Sequence, residues 1–309
     1  MITVESVTRT YGPFTAVDDV SFVAQPRRVT GFLGPNGAGK STTMRIIVGL
    51  TRASSGTATV SGRSYRDLPN PGLEVGVLLD ASAQHAGRTG REILTIAQRF
   101  MSLPGHRVEE MLELVSLSPE EATRRVRDYS LGMRQRLGIA TALIGDPEVL
   151  ILDEPANGLD PAGIRWMRGL LREFADHGGT VLLSSHLLHE IEVIADDLVV
   201  IGNGRIVAQG AKSDLLKSAG SIVRAVDREV VARALADSGV SSSPVGNDGL
   251  LAQADAGKVG EIAFAAGVPV SELRPADGAG LEEIFLQLTA DTQRDANPHR
   301  DHQPEGAVA

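Results

Sequence analysis

The sequence predicts an α/β fold: a sheet with crossover helices, an inserted helical subdomain, and a smaller α+β segment behind it. Three observations carry this prediction. Short β-branched or apolar runs alternate with helical patterns in the first part of the chain, as expected for strands joined by crossover helices. Between Thr89 and Gly145 the strand-like runs give way to helical spacing. After about residue 220, strand and helix patterns resume on a smaller scale.

The elements follow in order. Ile2, Val4 and Val7 alternate with polar residues, as a half-buried antiparallel strand would. Apolar runs over Val29–Leu33, Val75–Asp80, Val149–Asp153 and Val181–Ser184 read as strands buried on both faces. Asp197–Ile201, followed by Gly202-Asn203-Gly204, predicts a hairpin. In the helical stretch, Ile93, Leu94, Ile96, Ala97 and Phe100 form one apolar face, and Val108, Met111, Leu112 and Val115 form another. The later segment offers strand and helix patterns at Ser221–Val226, Val230–Ala236, Gly249–Ala252, Lys258–Ala266 and Leu281–Leu288, with Ser241–Pro244 as a loop. The chain thus divides into residues 1–218, with the helical subdomain at about 85–145, an α+β extension at 219–290, and a polar tail at 291–309 expected to be disordered.

Composition narrows the function. A chain of 309 residues with 42% apolar content has room for about two packed domains. A net charge of -9 and a pI near 5.3 argue against a nucleic-acid partner, which is normally met by a basic stripe. The absence of cysteine excludes disulfides and thiolate metal sites. The start MITVESVTRTYG has no apolar leader, and no run of about 18 apolar residues occurs, so a cytoplasmic location is expected.

Chemistry concentrates at three places. Gly34-Pro35-Asn36-Gly37-Ala38-Gly39-Lys40-Ser41-Thr42 fits G-x-x-x-x-G-K-[ST] between a buried strand and a helix. Glycines let backbone N–H groups close around a phosphate, and the helix N-terminus favours negative charge. Lys40 would reach the β and γ phosphates, and the Ser41 hydroxyl would meet Mg²⁺. Val149–Leu152 runs into Asp153-Glu154. Alone it is equally compatible with a strand entering an exposed acidic turn, but with the phosphate loop upstream Asp153 becomes a Mg²⁺ partner and Glu154 the group that orients the attacking water. His186 follows the strand Thr180–Ser185; a lone histidine is commonly structural, yet beside a γ-phosphate it could hold water and glutamate in register.

Together with Asp128-Tyr129-Ser130-Leu131-Gly132-Met133-Arg134-Gln135-Arg136 and Ala156-Asn157-Gly158-Leu159-Asp160, these residues follow the order and spacing of the ATP-binding-cassette (ABC) ATPases, which the chain resembles over about residues 1–215. The resemblance implies ATP and Mg²⁺ as ligands and a P-loop ABC ATPase core, a mixed sheet plus an antiparallel subdomain. It implies that Tyr11, about 30 positions before Lys40, stacks on adenine. Asp80 stands where the family's glutamine contacts Mg²⁺, a shorter and charged replacement. Tyr129–Met133 replaces the family's L-S-G-G-Q, keeping Ser130 and Gly132 and placing Leu131 where a glycine is usual. The resemblance further implies that Ser130 and Gly132 lie away from their own chain's Lys40 and meet ATP only in a head-to-tail dimer, with the Asp160 segment along its seam.

The expected function is the motor subunit of an ABC transporter, paired with a second copy or a homologous ATPase subunit and bound to a multi-span membrane permease on the inner face of the membrane. The segment ending in Gly280–Thr289 resembles extensions of drug, bacteriocin-peptide or antibiotic self-resistance exporters. The alternative is a soluble ABC ATPase acting on DNA or ribosomes. DNA-repair members carry a long coiled coil between the P-loop and the L-S-G-G-Q signature, whereas only about 90 residues separate Lys40 from Ser130 here, without sustained heptads. Translation-type members carry two cassettes per chain, and this chain has one P-loop.

Overall fold

The computed structural model describes residues 1–185, 188–215, 220–246 and 248–275. His186, the element expected over Leu281–Leu288 and the tail from Asp291 lie outside the described residues. The chain divides into two compact units, one formed by residues 1–185 and 199–209, the other by 188–198 with the described residues from 210 to 275. The second unit therefore begins earlier than the boundary at residue 218 read from the sequence.

In chain order the first unit runs β1 (Ile2–Tyr11), β2 (Phe14–Ala24), β3 (Arg28–Leu33), α1 (Lys40–Ile47), β4 (Ser55–Val60) and β5 (Val75–Leu78). The helical insertion follows as α2 (Gly90–Phe100), α3 (Arg107–Leu114), α4 (Pro119–Thr123) and α5 (Leu131–Leu143). Then come β6 (Val149–Leu152), α6 (Pro161–Asp176), β7 (Thr180–Ser185) and, after α7 (Leu188–Ile194), β8 (Asp197–Gly202) and β9 (Arg205–Ala211).

β2, β1 and β4 form an antiparallel sheet. Ile2 and Val4 are two apart but Val7 is three further on, and all three are buried; the register shifts between Val4 and Val7, where Ser6 takes φ 47°. This bulge keeps the apolar set on one face. The main sheet has the order β5-β6-β7-β3-β8-β9, and β5, β6, β7 and β3 are mutually parallel. Every residue of β6 and β7 is buried, which explains the unbroken apolar run Val149–Leu152 and the apolar centre Val181–Leu183 of β7. Phe32, Met44, Ile151 and Leu182 share one core with Val4 and Phe22 of the antiparallel sheet. Asn203 and Gly204, at φ 45° and 82°, make the two-residue turn between β8 and β9.

Three of the four helices of the insertion start on side-chain caps. Thr89 with Glu92 and Ser118 with Glu121 form capping boxes, and Ser130 caps α5 by accepting from the Met133 amide at 3.2 Å. Leu94, Val108, Met111, Leu112 and Val115 are buried as their spacing requires. Ile96 and Phe100 are not: four residues apart, they form an exposed stripe of their own on α2.

The second unit contains α7, α8 (Lys212–Leu215), β10 (Ser221–Ala225), α9 (Arg228–Asp237), β11 (Ser242–Val245), β12 (Gly249–Ala252), α10 (Ala256–Ala265) and β13 (Val270–Pro275). Its sheet has the order β11-β12-β10-β13 with all pairs antiparallel, a split β-α-β arrangement with α9 and α10 packed on it. The stretch Ser241–Pro244, read as a loop, is largely strand β11. It is an edge strand, where the missing N–H of Pro244 can face away from the ladder. Val223, Val231, Leu235, Leu250 and Val259 form a core of this unit alone.

Candidate nucleotide site

Parallel pairing brings the critical residues to one edge. Leu33 lies opposite Ser185, Leu152 opposite Leu183, and Leu78 opposite Leu152, so the carboxyl ends of β3, β5, β6 and β7 meet. That edge is where open parallel sheets hold ligands. A cleft of about 600 Å³ opens there, lined by Lys40, Ser41, Asp80, Asp153 and Glu154 among others.

The loop between β3 and α1 is shaped by glycine. Gly39 has φ 111°, and a Cβ there would stand 2.7 Å from the Ala16 carbonyl oxygen. Only glycine fits that conformation and that approach. Asn36, Gly37 and Thr42 line the cleft with Gly39, while Gly34, Pro35 and Ala38 form the loop behind them. Lys40 begins α1 and is 6% exposed. Its Nζ donates to the Gly34 carbonyl at 2.6 Å and the Pro35 carbonyl at 3.3 Å. Burial lowers the Lys40 pKa below the usual lysine value, while the charges of Glu154 and Asp153 pull it back up.

Beyond β6 the chain makes a constrained turn. The Ser184 hydroxyl donates a short hydrogen bond to Asp153 Oδ1 and accepts from the Glu154 amide at 3.1 Å. One hydroxyl thus ties both acidic residues to β7. Glu154 takes φ 51°, unusual outside glycine, and its carbonyl accepts from Gln135 Nε2 at 3.1 Å. The motif reading missed Ser184 and Gln135. The available signal for Ser184 was a serine pair closing an otherwise apolar buried strand.

Asp80 sits two residues past β5 and lines the cleft. Its Oδ1 accepts from the Ser82 hydroxyl at 2.6 Å and the Ser82 amide at 2.7 Å. These bonds, the side-chain one foremost and aided by Arg45, hold its pKa below the usual carboxylate value. Ser41, Asp80 and Asp153 present hydroxyl and carboxylate oxygens, a hard donor set suited to Mg²⁺. No cluster of three or more His, Cys, Asp or Glu residues with metal-binding geometry occurs among the described residues. The donors present fit an ion held by one or two carboxylates together with substrate phosphates.

Tyr11, at the end of β1, is not among the described residues lining the cleft. It is 46% exposed, and the Arg9 guanidinium lies 4.3 Å from its ring centroid. Phe14, its partner across the hairpin, does line the cleft. Sequence spacing selected the nearer match to a known pattern, and the hairpin register brings in the second aromatic.

The start of α5 departs from expectation. Ser130 and Gly132 are not among the lining residues, yet Leu131 and Gln135 of the same helix line the cleft that holds their own chain's Lys40. The reason is packing against the loop after Glu154. Gly158 has φ 75°, and a Cβ there would come within 2.3 Å of Leu131 Cγ. The Leu131 side chain occupies the space that this glycine leaves and remains 51% exposed. Gly158→Ala is therefore expected to destabilise the fold by about 1–3 kcal/mol through the clash, with about 1 kcal/mol more from the left-handed backbone. Denaturant unfolding of Gly158→Ala with Leu131→Gly should recover the first part and not the second; no recovery would show that Leu131 is not what the methyl meets.

A family model described as ABC transporter matches residues 17–157. An uncharacterized ABC transporter ATP-binding protein of Bacillus subtilis (strain 168), YhcH, is 33% identical over 300 residues, covering 96% of this chain and 98% of that protein. The bacitracin transport ATP-binding protein BcrA of Enterococcus faecalis is 40% identical over 223 residues, 70% of this chain and 71% of its own. The lantibiotic transport ATP-binding protein SrtF of Streptococcus pyogenes is 35% identical over 211 residues, 68% and 90% of the two chains. Among solved structures, an ATP-binding subunit of an ABC transporter aligns with a TM-score of 0.64 at 28% identity, over 70% of this chain and 91% of that one. A dimeric ATP-binding cassette in a post-hydrolysis state, bound to ADP and phosphate, shares the fold with a TM-score of 0.63 at 22% identity, over 68% and 98%.

Proposed function

The chain belongs to the ATP-binding subunits of ABC transporters, a family of ATP-hydrolysing proteins, and from that premise we propose that it is the motor of an exporter for an antibiotic or peptide. The observation that carries the catalytic part is the convergence of Lys40, Ser41, Asp153 and Glu154 on one cleft at the carboxyl edge of the sheet. Lys40 neutralises charge on the β and γ phosphates, and Glu154 aligns a water for attack on the γ-phosphorus. Ser41 and Asp153, with Asp80 beside them, would hold Mg²⁺, which when bound would supply Lewis-acid neutralisation of charge on the phosphate oxygens. The family resemblance assigns His186, which lies outside the described residues, the role of keeping the water and Glu154 in register.

Two copies, or one copy and a homologous subunit, enclose two ATP molecules head to tail, with Ser130 and Gly132 of each completing the other's site. Adenine stacks on the aromatics of the β1–β2 hairpin, Tyr11 as the resemblance implies. Closure and reopening of the dimer drive a membrane permease that carries the substrate path, and the subunit works on the cytoplasmic face. No described helix is long and apolar enough to cross a membrane. Support for an antibiotic or peptide substrate comes from the bacitracin and lantibiotic transport proteins among its relatives.

The test is co-expression with a multi-span membrane protein encoded beside the gene. Co-purification and transported-antibiotic resistance that depends on Glu154 are expected. A complex that forms stably with ribosomes or DNA, and with no membrane protein, would overturn the transporter reading.

A further inference from the structure

Helix α5 reaches its own chain's catalytic turn as well as its own N-terminal tip. Gln135 is 3% exposed and buried against the cleft, with Nε2 donating to the Glu154 carbonyl. Glu154 is held in the left-handed region, so its side-chain direction depends on what fixes its peptide groups. The Ser184 hydroxyl receives its amide, and Gln135 fixes its carbonyl, so one clamp lies on each side of the residue. The Asn157 amide shares that carbonyl at 3.2 Å, closing the turn locally, but Gln135 is the contact that ties it to another element. Ser130 and Gln135 are five positions apart, about 7.5 Å along the axis and about 140° around it. The capping serine and the glutamine therefore point to different places.

We propose that Gln135 is a positioning residue for Glu154 of its own chain, setting the water-orienting carboxylate from the second turn of the signature helix. This rests on the assignment of Glu154 made above. A further consequence concerns the dimer: the helix whose first turn serves the partner's nucleotide also braces the glutamate of its own site. A shift of α5 as its tip engages one γ-phosphate would move the bond that holds Glu154 at the other.

A double-mutant cycle on the full-length protein tests this, read as steady-state ATP hydrolysis. Gln135→Met keeps the length and volume of the side chain and removes the donor. It is expected to lower kcat about tenfold to a hundredfold with the KM for ATP changed less than about twofold, the mark of misplaced chemistry. In a Glu154→Gln background the same change is expected to cost less than about twofold, because the residue it positions is already disabled. Equal losses in both backgrounds would overturn the proposal and leave Gln135 a packing residue. If Glu154→Gln alone leaves hydrolysis unchanged, the assignment of Glu154 fails instead, which is a separate result. Gln135→Leu, of different shape but equally without a donor, should give the same pattern, so that a folding defect peculiar to methionine cannot carry the outcome.

Discussion

Glu154→Gln is expected to lower kcat by about 10²–10³-fold while ATP still binds, and to accumulate an ATP-bound dimer detectable by gel filtration. The amide keeps the size of the side chain but cannot accept a proton from the attacking water or align it by charge. The backbone should tolerate the change: the turn is held through the Glu154 amide to Ser184 and its carbonyl to Gln135, neither of which uses the side chain. Lys40 loses one of the two carboxylates that oppose the effect of its burial. Asp153 remains, so the ammonium is still held for the phosphates. Substrate binding and catalysis thus separate at this residue. A variant with normal turnover would remove Glu154 from the mechanism, and one with no ATP binding would mean that the turn itself had collapsed.

The residues that make this separation possible were unequally legible. Gly34–Thr42 and Asp153-Glu154 could be read directly, because a phosphate loop needs particular residue types at fixed spacing and the strand before Asp153 is an unbroken apolar run. Asp80 was placed by its position at a strand end. Ser184 and Gln135 were not legible in the same way: each acts through a backbone group of Glu154, and the pairing of β6 with β7 and the packing of α5 make those contacts. Phe14 is a further case, since a hairpin register rather than a motif brings it to the cleft. The edge strands β4, β11 and β13 escaped periodicity because their exposed faces carry Ser, Gly, Thr, Glu and Arg, which weaken the alternation a half-buried strand otherwise shows.

Mixing two inactive variants tests where Ser130 acts. Lys40→Ala removes the phosphate-binding charge, and Ser130→Arg places a bulky cation at the cap of α5; each homodimer is expected to hydrolyse ATP at about a hundredth of the normal rate or less. In a two-fold head-to-tail dimer the mixed species carries both lesions in one site and neither in the other. Random mixing makes about half of the dimers mixed, each with one sound site, so recovery should approach about a quarter of wild-type activity when the sites act independently. The placement of Leu131 in its own chain's cleft sharpens this test. If the start of α5 served the nucleotide beside it, Lys40 and Ser130 would belong to the same site, every site in the mixture would carry one lesion, and no activity would return. Recovery therefore requires that Leu131 face one nucleotide while Ser130, its neighbour in sequence, faces another. That division is sterically open because Ser130 caps the helix from outside its first turn, while the side chain of Leu131 packs over Gly158 at the cleft.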